Sequence, residues 1–127
     1  MKLTILSAKD FGTNLKCTIH STGKLGFTDG TTKHLELTEN SGIKFAIDES
    51  DDNTLYLINC KQWTPDAFKV NKAGNYFYIN AKALFDRLGY DYRKKSIIFD
   101  MTFIPKNEEE GDIYKLTKRE KTRPEKE

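Results

Sequence analysis

Two stretches of this 127-residue chain follow one pattern, and a chain made of two copies of a small unit has few ways to bury itself. Cys17-Thr18-Ile19, then Gly23, then Phe27 line up with Phe68-Lys69-Val70, Gly74 and Tyr78. Leu35-Glu36-Leu37 lines up with Leu88-Gly89-Tyr90, Ile43-Lys44-Phe45 with Ile97-Ile98-Phe99, and Thr54-Leu55-Tyr56 with Asp112-Ile113-Tyr114. The separation between matched residues widens along the chain, as loop insertions in the second copy would make it. Each half reads β-β-α-β-β, over about residues 15–60 and 67–116, with one extra strand at the N-terminus. The expected fold is therefore α+β: two tandem repeats related by a pseudo-twofold, sharing a mainly antiparallel sheet with two short helices. Residues 1–116 then form a single globular domain, and residues 117–127, which carry no apolar side chain, a mobile charged tail.

Residue alternation assigns the individual elements. Lys2 to Ala8 reads as a strand, and so does Leu15 to Ile19, where Leu15, Cys17 and Ile19 alternate with Lys16 and Thr18. Thr22-Gly23 turns the chain into Lys24-Leu25-Gly26-Phe27, and Thr28 or Asp29 caps a short helix reaching about Glu36. Ile43 to Ile47 and Leu55 to Cys60 are strands joined by a polar loop, Asp48 to Asn53. Phe68 to Val70 and Tyr76 to Ile79 flank a hairpin turn at Asn71 to Gly74. Asn80 is positioned to cap a second helix, whose Ala81, Leu84, Phe85 and Leu88 share a face and which Gly89 ends. Ser96 to Ile104 is a strand with Ile97, Phe99, Met101 and Phe103 on one face; Ile113 to Leu116 is a last short strand after an acidic loop from Lys106 to Asp112.

A glycine turn, a short strand, a capped helix ending in Leu-x-Leu and a strand of alternating apolar residues is similar to the AbrB-like swapped-hairpin DNA-binding fold, here present twice over about residues 15–116. Read from another starting strand, Ile43 to Gly89 gives four strands and a helix, which resembles the repeat of the Whirly-type single-stranded DNA-binding fold. Both resemblances imply nucleic-acid binding, by a single-strand binder of DNA or RNA or by a transcriptional regulator. The lysine-glycine-lysine stretch of Whirly proteins and the arginine-rich N-terminal hairpin of AbrB-type proteins are absent here, so neither resemblance transfers a functional residue.

Composition narrows the classes of function. Lys and Arg number 21 against 19 Asp and Glu, a net charge of +2, so any electrostatic function must come from local clustering. No apolar run is long enough for a signal peptide or a membrane span, and Cys17 and Cys60 read as two small buried hydrophobes, which suits a cytoplasmic protein. His20 and His34 do not form a zinc pattern with these cysteines. The loop Asp48 to Asn53 lacks the glycine and glutamate of a calcium-binding loop. Ser21, Cys17 and Cys60 have no nucleophile motif around them, and Gly23-Lys24-Leu25-Gly26 lacks the strand-to-long-helix setting of a phosphate cradle. No enzyme activity, metal or cofactor is expected.

What remains is basic residues among aromatics. Lys69, Lys72, Tyr76 and Tyr78 fall on or beside one hairpin, and Arg93, Lys94 and Lys95 follow the second helix next to Tyr90 and Tyr92. Such a surface stacks bases on rings while cations meet phosphates. The competing reading packs Tyr76 and Tyr78 under a helix and leaves the lysines as ordinary solvated charges. Under the first reading the partner is single-stranded nucleic acid. Under the second it is another protein or a second copy of the chain, joined as a homodimer through a sheet edge. Neither involves a membrane.

Overall fold

Gly23, at φ +89°, reverses the chain between β1 (Leu15–Ile19) and β2 (Lys24–Phe27), which pair antiparallel with Cys17 opposite Phe27. The computed structural model describes residues 1–3, 15–48, 50–105 and 111–122; most of the strand expected from Lys2 to Ala8, and of the loop expected from Lys106 to Asp112, lies outside them. After β2 come α1 (Asp29–His34), β3 (Gly42–Asp48) and β4 (Asp51–Cys60). Then follow β5 (Phe68–Lys69), β6 (Asn71–Ala73), β7 (Tyr76–Asn80), α2 (Lys82–Arg87), β8 (Lys95–Ile104) and β9 (Asp112–Thr122).

All the described strands belong to one sheet, in the order β5-β3-β4-β9-β8-β1-β2-β7-β6, and every neighbouring pair is antiparallel. The two edge strands, β5 and β6, are separated in sequence by Val70 alone. Residues 68–73 therefore pair with β3 through their first half and with β7 through their second, and the sheet curls round to close on itself as a barrel. Strand alternation fills the interior. Cys17 and Ile19 from β1, Leu25 and Phe27 from β2, Leu55 and Leu57 from β4, and Ile97 and Phe99 from β8 are all buried in one continuous core, joined by Val70 from the closing segment. Burial pushes the Cys17 thiol up, so it serves as a small core hydrophobe, and Cys60 is buried as well.

The helices are short and end alike. After α1, the Leu37 N–H donates to the Thr32 carbonyl and the Glu36 N–H to the Lys33 carbonyl; after α2, Tyr90 donates to Phe85 and Gly89 to Asp86. This is the Schellman arrangement, and it needs a residue in the left-handed region: Glu36 at φ +54° and Gly89 at φ +78°. Leu35, Leu37 and Phe85 are buried in the core, with Leu88 and Tyr90 packed against it. Thr28 is the N-cap of α1, accepting from the Thr31 N–H.

Thr31 also joins α1 to the sheet. At Lys16 the strand β2 has run out, its last paired residue being Phe27 opposite Cys17. The fully buried Thr31 hydroxyl takes the place of a strand neighbour there, accepting from the Lys16 N–H and donating to the Lys16 carbonyl, each at 2.9 Å.

Four details differ from the sequence reading. The hairpin turn lies at Gly74-Asn75 instead of Asn71 to Gly74, because Asn71–Ala73 stay in the ladder with Ala73 opposite Tyr76 and Gly74 supplies φ +62°. Asn80 does not cap α2: it is held in β7 opposite Lys24, and Ala81 occupies the cap position without a side-chain hydrogen bond. The polar loop Asp48 to Asn53 shrinks, since Asp48 pairs with Asp51. Finally, the residues expected to begin a mobile tail at Thr117 continue β9 as far as Thr122. The long β8 gives them a ladder, with Arg119 opposite Ile98 and Lys121 opposite Ser96, and Lys118 Nζ lies 4.9 Å from the centre of the Tyr90 ring.

Thr31→Val keeps the shape of the side chain and removes the oxygen, leaving the Lys16 N–H and carbonyl unpaired. It should lower unfolding stability by about 1–3 kcal/mol, seen as a lower urea midpoint at unchanged slope.

Candidate nucleic-acid interface

β1, β2 and β7 lie side by side, and their buried residues fix which positions face outward. Cys17, Ile19, Leu25 and Ile79 face the core, so Lys16, Thr18, Lys24, Gly26, Tyr76 and Tyr78 face out. Tyr76 and Tyr78, two residues apart on β7, put their rings side by side with centroids 6.1 Å apart and planes 21° from parallel. Lys24 Nζ stands 4.8 Å from the centre of the Tyr78 ring.

Gly26 faces outward and is nevertheless buried, because Tyr76 lies across it. A Cβ at this position would collide with the Tyr76 hydroxyl oxygen and with His20 Nε2, which are themselves hydrogen-bonded to each other. The missing side chain is what allows the tyrosine to lie flat on the sheet and reach His20. This partial burial holds the Tyr76 phenol above the ordinary tyrosine range, while 38% of the residue still meets solvent.

The surface extends across the neighbouring strands. Outward positions of β8 are Ser96, Ile98, Asp100 and Thr102, and those of β9 are Lys115, Thr117, Arg119 and Lys121. From β7 through β2, β1 and β8 to β9, the outward strand positions thus carry Lys24, Lys16, Lys115, Arg119 and Lys121. Asp100 is the one carboxylate among the described positions. It is matched by Arg119, whose Nε lies 2.6 Å and Nη2 3.1 Å from its two oxygens.

The residues singled out in the sequence divide by the register. Tyr76 and Tyr78 come together on the outer face, not under a helix. Lys69 faces out on the closing segment, two residues before Asn71, the partner of Tyr78. Lys72 is parted from them: it sits opposite Phe77 with Nζ 5.7 Å from that ring, on the other face of the hairpin. Arg93 and Lys94 precede β8; Lys95 opens it on the face of Ile97, opposite the outward Ser96. Two strands separate β8 from β7, so with strands about 4.8 Å apart the start of β8 stands about 14 Å across the sheet from the tyrosines. Lys95 pairs with Glu120 at 3.3 Å. Tyr92 is buried, with its hydroxyl donating to Asp86. The sequence reading weighed Lys24, Gly26 and His20 only for phosphate or zinc and did not place them beside the tyrosines. The signal for the first two was present, since Lys24 and Gly26 alternate with Leu25 and Phe27, and a glycine at an outward strand position marks a close approach.

Compared with known proteins, the chain matches no family model, no curated protein and no solved structure. Among the described residues, no helix is long and apolar enough to cross a membrane.

Gly26→Ala should lift the Tyr76 ring and break its contact with His20. In an ultraviolet pH titration, the Tyr76 phenol, which ionises above the ordinary tyrosine value of 10.0 in the native chain, should move back toward that value in the variant. The sign follows from burial, which disfavours the phenolate; stability gained from the neutral ring is lost as pH rises past that ordinary value.

Proposed function

We propose that this chain is a non-catalytic nucleic-acid-binding module whose preferred ligand is single-stranded. The observation that carries the reading is the solvent-facing Tyr76–Tyr78 pair, with Lys24 over one ring, on a barrel face with a net excess of cations. Flat rings accept any base by stacking, and outward lysines and arginines neutralise phosphates without reading sequence. In this reading Tyr76 and Tyr78 stack bases, and Lys24, Lys16 and Lys69 meet the backbone beside them. Arg93 and Lys94 extend the path, and Lys72 and Lys95, which the register puts on the other face of their strands, take no part.

The same reading includes the duplication and its pseudo-twofold. What supports it is that exchanging the halves turns the list of strand pairs into itself. With residues 68–73 as counterpart of β1, and β7, β8 and β9 as counterparts of β2, β3 and β4, the β1–β2 ladder becomes β6–β7. The β3–β4 ladder becomes β8–β9, and β1–β8 becomes β5–β3. The β2–β7 and β4–β9 ladders map onto themselves. The matching Schellman ends of the two helices support it independently. Hairpins interleaved between two halves are also what the AbrB-like resemblance implies. In this alignment Ile43 corresponds to Phe99 and not to Ile97, a shift of two residues from the sequence match.

Self-association through a sheet edge draws less support. Residues 117–122 of β9 pair only with β8 among the described strands, but Lys118, Arg119, Glu120 and Lys121 are the kind of charges that discourage strand addition.

Fluorescence anisotropy with labelled single-stranded and duplex oligonucleotides at two salt concentrations tests the proposal. Single strands should bind more tightly, and affinity should fall steeply with salt. Replacing both Tyr76 and Tyr78 by Ala should cost about 1–3 kcal/mol per stacked base. Lys24→Ala should reduce the logarithmic salt slope by about 0.7. Absence of binding at low salt would sink the reading.

A further inference from the structure

At the opposite end of the chemistry from the tyrosine face is a cavity of about 310 Å³, between the C-terminal turn of α1 and the meeting point of β4 and β9. Asn59 lines it. This residue is 4% exposed, and its Nδ2 donates to the Leu35 carbonyl at 2.9 Å, which fixes the orientation of the amide. Its Oδ1 has no hydrogen-bond partner among the described residues. A buried amide oxygen in that condition is rare and asks for a donor.

The remaining lining says what kind of donor. Tyr114, buried, and Phe103, half-buried, supply ring surface, with centroids 5.6 Å apart and planes 56° from parallel. Lys61 shares the lining with the carboxylates of Glu36 and Asp112 and with the imidazole of His34, so charge of neither sign dominates it. That lining favours neither a phosphate nor a free cation. It favours a flat, neutral group that presents an N–H to Asn59 and a face to the rings, and the cavity is large enough for one heteroaromatic ring with a small substituent.

We propose that this cavity binds a neutral heteroaromatic ring bearing an exocyclic amine, the chemistry of an adenine or cytosine base, with Asn59 Oδ1 accepting from the amine. The site is separate from the Tyr76–Tyr78 face and does not require it.

The test is an NMR titration of the isotope-labelled full chain with adenosine, cytidine and purine riboside, the last being the adenosine ring without its amine. Adenosine and cytidine should shift the Asn59 side-chain amide and the Phe103 and Tyr114 ring signals saturably. Purine riboside should bind about ten-fold more weakly, the loss of one buried hydrogen bond. Asn59→Leu should erase the difference between adenosine and purine riboside, Phe103→Ala should weaken both, and Tyr76→Ala should leave the titration unchanged. Absence of saturable shifts with adenosine or cytidine, or equal affinity for adenosine and purine riboside, overturns the proposal. The comparison on the native chain decides even if Asn59→Leu does not fold. Because the readout uses free nucleosides and no oligonucleotide, it succeeds or fails independently of binding at the tyrosine face.

Discussion

Everything in this fold depends on residues 68–73 pairing on both sides. An antiparallel sheet with nine strands in a row would present two long edges and one bare face. Here the chain crosses from one edge to the other over Val70, a fully buried residue, and hydrogen-bonds to β3 before it and β7 after it. Closure turns one face of β1, β2, β4 and β8, and the nearer parts of the other strands, into interior. It also explains how 37% hydrophobic residues suffice: a barrel needs apolar side chains only at alternate positions, and leaves the other positions to lysines, threonines and tyrosines.

Helices this short would not persist alone; each has six residues. They hold because both ends are tied to the barrel. In α1, Thr31 completes the ladder of β1 where β2 stops, and the Leu35-Glu36-Leu37 turn buries two leucines. In α2, Phe85 is buried and makes ring contacts with Phe45 of β3 and with Tyr90. Glu36 holds its left-handed conformation without the freedom glycine gives at the corresponding Gly89, so that strain is borne by the packing of its neighbours.

Alternation along the chain was a reliable guide where one side of a strand is core. Leu15-Cys17-Ile19 and Ile97-Phe99-Met101 were legible for that reason, and so was the order of most strands and helices along the chain. It misled where a charged stretch gains its order from a partner distant in sequence: nothing in Thr117 to Thr122 announces a strand, because the ladder is supplied by β8. Hairpin register was the other weak point. Asn71, Lys72, Ala73 and Gly74 are all acceptable turn residues, and only the pairing of Ala73 with Tyr76 selects Gly74-Asn75. That two-residue difference moved Lys72 off the tyrosine face and so altered the candidate site. Tyr76 and Tyr78 were legible as a pair, but their exposure was not, because it depends on Gly26 of another strand. Asn59 carried no signal at all: its unpartnered oxygen is a property of the folded interior.

The interleaving of the hairpins has a consequence for biosynthesis. Once Cys60 has left the ribosome, β1 to β4 are present but none of their later neighbours: β1 still lacks β8, β2 lacks β7, and β4 lacks β9. The nascent chain must carry unsaturated edges until β9 has emerged, since β9 is the last of the described strands and bridges β4 to β8. Folding is thus dominated by contacts distant in sequence.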